Sequence, residues 1–383
     1  MKTAAVVAEY NPFHCGHRYQ LEKTREAGAT HIVAVMSGNF VQRGEAAIFD
    51  KFTRAKTAVD CGADLVVELP LPWAMSTAQN FARGAISLAG ALGCVDMLSF
   101  GSECDDVTAL ERVAQTVYSA EFELKLAELL PQCVSYANAR EQAVAALCGA
   151  QFAGLLANPN SILAVEYIAA AKKFGFDFEF NAVRRMGDGY NSLSASGNGF
   201  ASASAIRRLI ASRSDYFSYV PVTYPSEFAD FSKLDTAVLY ALRKMSADEI
   251  ALAPDISEGL ENRIFEAVRI SGSFDELIEN IKTKRYPTAR IRRIIMSLLL
   301  GVKAKHSQGL PPYIRILACN EKGREILSAA NPSLPVVARA SQFRQFDGIA
   351  GEIFTLECTA DDIYALCYSP VRECGADYKA KVF

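Results

Sequence analysis

The chain has 383 residues, half of them apolar and 22% charged, with a net charge of -3, which is ordinary for a globular protein with a sizeable core. Its apolar runs are all shorter than the roughly 18–20 residues of a membrane-spanning helix, so we expect no membrane partner. The ten cysteines include no Cys-x-x-Cys pair. We therefore expect a cytoplasmic protein without a structural zinc site and without a disulfide-linked partner.

Short apolar runs and segments of helical periodicity alternate along the first 110 residues. The predicted strands are Thr3–Ala8, His31–Met36, Asp64–Leu69 and Asp96–Phe100, and the predicted helices are Tyr19–Ala27, Lys51–Cys61 and Ala78–Leu92. Buried strands separated by helices of this length are typical of a parallel, doubly wound sheet. Ligands of such sheets bind beyond the carboxyl ends of the strands. Functional residues are therefore expected in the segments that directly follow the strands.

The remaining elements divide the chain into two predicted domains, residues 1–220 and 221–383, because the composition changes over residues 212–230. The first domain also contains a fifth strand, two helices and a Gly/Ser/Asn-rich loop, predicted as Phe178–Val183, Ile162–Phe174, Ala205–Ala211 and Gly187–Phe200. The second domain is predicted to be mainly helical, with short strands at Tyr313–Ala318 and Phe354–Glu357.

The most informative segment follows the first strand and contains His14, Gly16 and His17. Its glycine permits a tight turn and the close approach of a phosphate, and the next helix would offer free N–H groups and the positive end of its dipole. The two imidazoles could donate to phosphate oxygens on which charge develops as a leaving group departs. The alternatives are two core histidines or a metal site, and a zinc site would lack further ligands at suitable spacing.

Positive charge is concentrated in one segment. Between Asn280 and Asn320 there is no Asp or Glu, whereas nine residues are basic, including Lys303, Lys305 and Arg315. The other six lie around Tyr286, and basic side chains with an aromatic ring suit RNA phosphates and a stacked base. We predict that these six residues contact RNA, a solvated helix face being the alternative: Lys282, Lys284, Arg285, Arg290, Arg292 and Arg293.

The sequence His14-x-Gly16-His17 after a first strand resembles the signature of the HxGH nucleotidylyltransferase superfamily. That superfamily has a second signature, a Ser/Thr-rich helix start with a basic residue, which Ser202-Ala203-Ser204 and Arg207 match. Such a helix start could hold the β- and γ-phosphates, although Ser-x-Ser alone is more often only a helix cap. The resemblance implies an α/β fold: a Rossmann-like domain with a parallel sheet, plus a mainly helical C-terminal region.

Further segments narrow the resemblance to the bacterial tRNA(Met) cytidine acetate ligases. These segments are Glu9–His17, Met36–Glu45, Asp64–Pro70, Phe100–Glu103, Pro159–Tyr167 and Arg184–Tyr190. Members of that family use ATP and acetate to make acetyl-adenylate, and then acetylate N4 of the wobble cytidine of elongator tRNA(Met). The resemblance therefore implies that ATP, with Mg²⁺, and acetate are substrates, and that tRNA(Met) is the partner of the basic segment.

The resemblance also implies the site residues. His14 and His17 would stabilise the departing pyrophosphate, and Ser204 and Arg207 would hold the tail phosphates, which makes these four the catalytic residues. We assign the loop Ser37–Glu45 to the substrate or the tRNA end. The ATP-binding positions carried over from the family are Val7, Ala8, Glu9, Tyr10, Asn11, Pro12, Phe13, His14, Cys15, Gly16, His17, Arg18, Tyr19, Gln20, Gly101, Asn160 and Arg185.

Two other functions compete with this interpretation. A small-molecule nucleotidylyltransferase would hand AMP to a phosphate-bearing substrate, and the basic segment would then have no purpose. A non-enzymatic RNA-binding protein would use the basic segment but would leave the histidine motif unexplained. Exchange of pyrophosphate into ATP, and its dependence on acetate, distinguishes the three.

Overall fold

The computed structural model describes residues 1–133, 135–185, 200–257, 259–283 and 286–380. Its strands are β1 Thr3–Ala8, β2 His31–Ser37, β3 Phe40–Val41, β4 Glu45–Ala46, β5 Leu65–Leu69, β6 Met97–Ser102, β7 Glu179–Arg184, β8 Ile314–Cys319 and β9 Val336–Val337. Within the described residues, seven strands form one sheet in the order β7-β6-β1-β2-β5-β8-β9, and β3 and β4 form a separate hairpin. Pairing in the large sheet is parallel except between β5 and β8. The predicted parallel sheet is confirmed.

Helices cover both faces of the sheet and make up most of the chain after residue 220. The earlier ones are α1 Cys15–Glu26, α2 Lys51–Asp60, α3 Leu71–Ala74, α4 Ala78–Ala91, α5 Val107–Val117, α6 Ala120–Leu129, α7 Tyr136–Cys148, α8 Ala150–Ala153, α9 Pro159–Phe174 and α10 Ala203–Ala211. The later ones are α11 Asp235–Arg243, α12 Ala247–Ile250, α13 Leu260–Ile270, α14 Phe274–Ile281, α15 Thr288–Leu300, α16 Glu321–Ala329, α17 Gly348–Tyr364 and α18 Ala376–Lys379. Asp50 and Thr77 cap α2 and α4 through their side chains, which fixes where those helices begin.

The core consists of three apolar clusters, two on opposite faces of the sheet and one in the helical region. Successive strand residues point to opposite faces, so Ala5 packs in one cluster and Val6 in another. The third cluster surrounds α15 and includes Phe40 and Ala46 of the hairpin. Because this hairpin directly follows β2, the helical region lies beside the carboxyl end of the sheet, where ligands of such folds bind.

Two strands of the sheet come from the predicted second domain. β8 closely matches the predicted strand Tyr313–Ala318 and pairs antiparallel with β5, with Ala318 opposite Val66. β9 then pairs with β8. Residues 221–383 therefore complete the sheet as well as forming the helical region. The division near residue 220 stays a prediction about function, and it does not separate the sheet from the rest of the chain.

The predicted strand Phe354–Glu357 is wrong, because these residues lie inside α17. The buried positions of this helix include Phe354, Glu357, Cys358 and Asp361, which recur every three or four residues as on one helix face. The short apolar run around Phe354 is ambiguous on its own, since buried helices and strands of that length look alike in sequence.

Two further features of the fold concern its apolar helices and its cysteines. Along the described ranges, the structure contains no helix with the length and apolarity to cross a bilayer. All ten cysteines lie in those ranges and are free thiols. Burial raises the pKa of Cys358 and of Cys367 to about 12, so these two thiols are unreactive near neutral pH.

Candidate active site

The histidine motif forms the junction between β1 and α1. His14 is the N-cap of α1, which begins at Cys15, four residues before the predicted start. The Gly16 N–H donates to His14 Nδ1 at 3.0 Å, and the His14 N–H donates to His17 Nδ1 at 3.2 Å. The two rings stack with their centroids 3.8 Å apart. The motif is thus a reciprocal capping box in which two imidazoles replace the usual hydroxyl and carboxylate.

Gly16 is required by this arrangement. A Cβ at position 16 would lie 2.9 Å from Cε1 of His14, which is too close for a non-bonded contact. A larger residue would therefore displace the His14 ring from its capping position. The ring of His17 is held from the other side by Tyr10 and Phe13, both buried, at centroid distances of 4.9 and 5.5 Å.

These hydrogen bonds determine the tautomer of both rings. Each Nδ1 accepts a main-chain N–H, so each neutral ring carries its proton on Nε2. Burial, followed by the charges of Arg185 and Arg207, lowers the pKa of His14 to about 3. Burial and the neighbouring His14 ring hold the pKa of His17 well below its ordinary value. Both histidines are therefore neutral Nε2–H donors at neutral pH.

The depressed pKa of His14 predicts a loss of stability in acid. An unfolded histidine takes up a proton near pH 6.5, whereas folded His14 does so only near pH 3. The contribution of neutral His14 to the free energy of unfolding is therefore complete above pH 6.5 and falls as the pH is lowered. Between pH 7.5 and pH 5 this amounts to about 2 kcal/mol of unfolding free energy. Urea unfolding at both pH values should show that His14→Asn, which keeps a capping side chain, loses about 2 kcal/mol less than the wild type. Equal losses would contradict the assigned pKa.

A cavity of about 150 Å³ opens beside this motif, where β1 and β6 end. Among the predicted site residues it is lined by Val7, Ala8, Glu9, Tyr10, Asn11, His14, His17, Gln20, Gly101, Asn160, Arg185, Ser204 and Arg207. A smaller extension adds Gly16 and Tyr19. Pro12, Phe13, Cys15 and Arg18 belong to the described residues but line neither space. The structure thus brings most of the predicted ATP-binding positions together at one place.

Asn160 and Arg185 are positioned by Glu103, which the sequence indicated only as part of a strand end. The amide of Asn160 donates to Glu103 Oε1 at 2.6 Å, and the N–H and hydroxyl of Ser161 both donate to Oε2 at 3.0 Å. Arg185 in turn donates to the amide oxygen of Asn160 at 3.5 Å. A Cβ on Gly101 would lie 3.7 Å from the Arg185 side chain. Glu103 therefore caps α9 and orients the groups on this side of the cavity.

The second signature lies across the cavity from the histidines. Ser202 caps α10 through its side chain. Arg207 donates to the main-chain oxygen of Asn11 at 2.8 Å and to the Ser204 hydroxyl at 3.3 Å. Because Asn11 lies only three residues before His14, this contact joins the two signatures directly. The predicted pairing of a hydroxyl with an arginine on α10 is therefore present at the cavity.

Glu45 links this site to the helical region. Its carboxylate lies 3.7 Å from Arg207 and 3.4 Å from Arg292 on α15. The same hairpin turns at Gly44, which has a φ of +70°, and a Cβ there would lie 2.7 Å from the α15 backbone at Arg292. The loop Ser37–Glu45, which the sequence assigned to the substrate or the tRNA end, thus lies between the cavity and α15.

Arg54, beside the site, was not recognised from the sequence, and Asn11, one of the predicted ATP-binding positions, also has a structural role. Arg54 is fully buried and donates to the main-chain oxygens of Glu9, Ser37 and Gly38, so it holds the ends of β1 and β2 together. Asn11 accepts from the Ile48 N–H at 2.8 Å, while its buried Nδ2 has no partner among the described residues. A ligand in the cavity would satisfy that donor. A buried arginine on an otherwise ordinary amphipathic helix gives no local signal of such a role.

Arg290 and Arg293 of the basic segment have acidic or polar partners within the chain. Arg290 donates to the main-chain oxygen of Asp255 and to the Ser257 hydroxyl, both at 2.7 Å. Arg293 lies 3.3 Å from the Asp255 carboxylate. These partners lie outside residues 280–320, which is why the absence of acids within the segment overstated its free positive charge.

The other members of the segment differ in exposure. Lys282 is exposed and forms an ion pair with Glu279 at 3.1 Å. Lys284 and Arg285 lie outside the described residues. Tyr286, the aromatic residue among them, is only 8% exposed and packs in the helical core, so it offers little surface on which a base could stack.

The sequence is similar along nearly its whole length to proteins of one family. The family model described as HIGH Nucleotidyl Transferase matches residues 1–378. The tRNA(Met) cytidine acetate ligase of Acetivibrio thermocellus is 37% identical over 413 residues, covering 100% of this chain and 99% of that protein. The protein of the same name from Thermoanaerobacter sp. (strain X514) is 36% identical over 403 residues, covering 99% of this chain and 98% of that protein.

The fold agrees as well. The crystal structure of Thermotoga maritima TmcAL bound with alpha-thio ATP has a TM-score of 0.90 to this structure at 33% identity, covering 100% of this chain and 99% of that chain. The apo form of the same protein gives the same values. The resemblance based on the histidine motif is thereby confirmed: the chain belongs to the tRNA(Met) cytidine acetate ligase family of HIGH nucleotidyl transferases.

Proposed function

We propose that this protein activates acetate with ATP and transfers the acetyl group to N4 of the wobble cytidine of elongator tRNA(Met). The observation that carries the proposal is one cavity lined by His14, His17, Ser204 and Arg207, two of them neutral Nε2–H donors. Its support is the full-length similarity to relatives named for this reaction and to a protein bound with alpha-thio ATP. The reaction would take place in the cytoplasm, where tRNA is used.

In the first step an acetate oxygen attacks the α-phosphorus of ATP. The new bond joins the carboxylate oxygen to the α-phosphorus. The bond between the α-phosphorus and the oxygen that bridges to the β-phosphorus breaks, and pyrophosphate leaves with that electron pair. Negative charge grows on the bridging oxygen and on the nonbridging α-oxygens. Donors already oriented toward that charge stabilise the transition state more than the ground state.

The two histidines suit this task because they are fixed before ATP arrives. Their Nδ1 atoms are occupied by main-chain N–H groups, so only Nε2–H remains for a phosphate oxygen. Arg207 is fixed through Asn11, and it would hold the tail phosphates together with Ser204. Arg185 would contribute a further cation beside Gly101. The chain thus acts by positioning and charge stabilisation, without a covalent intermediate.

In the second step the exocyclic N4 amine of cytidine attacks the acetyl carbon. The carbon–oxygen bond of the mixed anhydride breaks, AMP leaves, and the amine loses one proton, which gives N4-acetylcytidine. Activation is chemically necessary, because the lone pair of that amine is delocalised into the ring and free acetate has a poor leaving group. The site must therefore admit both a nucleoside triphosphate and an RNA base.

Mg²⁺ would accompany ATP in this scheme. Magnesium usually keeps several waters and binds through substrate phosphates and one or two carboxylates. Across the described ranges there is no cluster of three His, Cys, Asp or Glu suited to hold a metal. The phosphates of ATP and water would supply most of its ligands, and the side chains of Glu9, Glu45 and Ser204 are among the oxygen donors that line the cavity.

Exchange of labelled pyrophosphate into ATP tests the proposal, measured with and without acetate and with and without tRNA. We expect exchange that requires acetate and proceeds without tRNA, and acetyl transfer that requires both. Exchange that needs a phosphate-bearing acceptor instead of acetate would identify a small-molecule nucleotidylyltransferase. A protein that binds tRNA but never exchanges pyrophosphate would be an RNA-binding protein only.

The basic segment is proposed to bind tRNA, with Lys282, Lys284 and Arg285 as its phosphate contacts. Lys282 is exposed and lies on the surface of the helical region. Arg292 is less suitable for a test, because its ion pair with Glu45 also reaches the ATP site. Arg290 and Arg293 hold Asp255 and would change the local structure when replaced.

Replacing Lys282, Lys284 and Arg285 together by Glu should weaken tRNA binding and leave acetate-dependent exchange unchanged. Each lost phosphate contact reduces the slope of log binding constant against log salt by about one unit, so the slope should fall by up to about three. Filter binding across a salt series measures this. An unchanged slope would show that the segment is a solvated face.

A further inference from the structure

A second, larger cavity lies next to the ATP site. It has a volume of about 500 Å³ and is lined by Glu45, Ala46, Ile48, Ser204, Arg207, Arg208, Ala211, Phe228, Ala229, Asp230, Phe231 and Arg292. Three of these residues, Glu45, Ser204 and Arg207, also line the ATP cavity. The two spaces therefore meet at these side chains, and the volume falls within the roughly 300–1,000 Å³ range of ligand-binding pockets.

The helix α10 lines both spaces with one face. Its lining residues follow the spacing i, i+3, i+4 and i+7, which places them on one side of the helix: Ser204, Arg207, Arg208 and Ala211. Ser204 and Arg207, at the start of this face, reach the ATP cavity, whereas Arg208 and Ala211 face only the larger space. The face thus runs continuously from the proposed phosphate site into the second cavity.

We propose that this second cavity receives the acceptor nucleotide, an unstacked pyrimidine nucleotide of a single-stranded RNA segment. The inference rests on the proposed function, since acetyl transfer requires the amine to approach the adenylate from a side that ATP does not occupy. The cavity is the space that borders the ATP site at Arg207 and Glu45. A base that undergoes chemistry must leave its stack and enter such a pocket.

The lining has the chemistry of a nucleotide subsite. Phe228 and Phe231 offer apolar rings, and unstacked RNA bases bind by stacking on aromatic and guanidinium planes. The Arg292 guanidinium already lies 5.4 Å from the Phe231 ring. Three arginines line the cavity against two acids, Glu45 and Asp230, so the net charge favours a phosphate-bearing ligand.

Glu45 lies at the junction, which suits the amine that must react. A carboxylate accepts hydrogen bonds from the N4 amine of cytosine, whereas uracil has an acceptor oxygen at that position. The Glu45 carboxylate is held at 3.7 Å from Arg207 and 3.4 Å from Arg292, so it is oriented before RNA arrives. An amine bound there would lie beside both the adenylate site and the apolar rings.

Ala211→Trp tests this inference with little risk to the fold. Ala211 is exposed at the end of α10 and lines the second cavity but not the ATP cavity, so an indole there would occupy space in the second cavity. We expect acetylation of tRNA(Met) to fall by about tenfold or more, the usual scale for losing one stacked base. Acetate-dependent pyrophosphate exchange should stay within about twofold of the wild type, since Ala211 does not line the ATP cavity.

Ala146→Trp provides the matched control, because Ala146 is an exposed helical alanine on α7 outside both cavities. It should leave both activities unchanged. A second variant, Arg208→Ala, should raise the concentration of tRNA needed for half-maximal acetylation and keep exchange intact. Retained exchange in either variant demonstrates that the protein is folded.

The outcomes separate the subsite from the proposed function. Unchanged acetylation in both Ala211→Trp and Arg208→Ala would overturn the subsite and leave the acetate-ligase proposal standing. Parallel loss of exchange and acetylation in both variants would also overturn it, because the cavity would then serve the first step. Absence of acetate-dependent exchange in the wild type would instead contradict the proposed function itself.

Discussion

His17→Ala is expected to lower acetate-dependent pyrophosphate exchange by about a hundredfold or more, the usual scale for losing one donor to developing charge. The imidazole of His17 lines the cavity, and its Nε2–H is the group left to contact a phosphate oxygen. The affinity for ATP should change much less than the rate, because the donor acts mainly on charge that develops in the transition state.

A second substitution separates this role from a purely structural one. His17 Nδ1 also accepts the His14 N–H, so removing the ring could disturb the start of α1. His17→Asn keeps a side chain able to accept that N–H but places its amide short of the Nε2 position. If exchange is lost in both variants while thermal unfolding of His17→Asn matches the wild type, the donor role stands. Near-normal exchange in a folded His17→Ala protein would eliminate it.

His31→Ala is the matched control for loss of a histidine. His31 lies at the start of β2, pairs with Glu325 at 2.9 Å, and does not line the cavity. Its replacement should leave exchange close to the wild-type value, so a general effect of removing a buried imidazole would be recognised.

The parts of the fold that were predicted correctly depend on local patterns. Continuous apolar runs such as His31–Met36 match β2 within one residue, because a strand buried on both faces has a simple signal. The turn of His14, Gly16 and His17 is likewise local. The start of α1 at Cys15 was missed because histidine is not among the usual N-cap residues, and only the structure shows its Nδ1 in that role.

The parts that were missed depend on contacts between distant segments. The antiparallel pairing of β8 with β5 joins residues about 250 positions apart, which no local pattern encodes. The same holds for Glu45, which meets Arg207 and Arg292 from two separate helices. Sequence composition also overstated the basic segment, since its partner Asp255 lies outside it.

A buried group of charges was another feature without a sequence signal. Lys51 on α2 is 1% exposed, and its Nζ lies 3.0 Å from Glu68, 3.1 Å from Asp361 and 2.8 Å from Asp377. Arg315 on β8 adds a second cation, 3.0 Å from Glu68. Burial opposes the charge of Lys51, and the surrounding carboxylates outweigh it and raise its pKa. The group joins α2 and β5 to elements from the end of the chain.

This group also contacts the hairpin that carries Glu45. Asn39 donates to Asp361 at 2.8 Å, and its side-chain oxygen accepts the Lys51 N–H at 2.6 Å. Burial also raises the pKa of Glu357 to about 8, so that carboxyl is protonated near neutral pH and reduces the excess of negative charge. The balance between the remaining acids and the two cations therefore depends on Lys51.

Lys51→Met should lower the free energy of unfolding by about 3–5 kcal/mol, the usual cost of leaving a buried ionic partner uncompensated. Methionine fills a similar volume, so the loss would come from the charge rather than from a cavity. Lys56→Met is the matched control on the same helix, since Lys56 is 58% exposed and its ion pair with Asp60 is solvated. It should change the unfolding free energy by less than about 0.5 kcal/mol.

Urea unfolding measures both values, and hydrogen exchange locates the effect. In Lys51→Met the amides of residues 39–46 and 314–319 should exchange faster, because both segments are held by the same group of charges. Acetate-dependent exchange and tRNA acetylation should then fall together, since Glu45 lies at the junction of the two cavities. A loss of less than about 1 kcal/mol would show that the carboxylates take up protons when Lys51 is removed, and that the charges do not hold the two parts of the chain together.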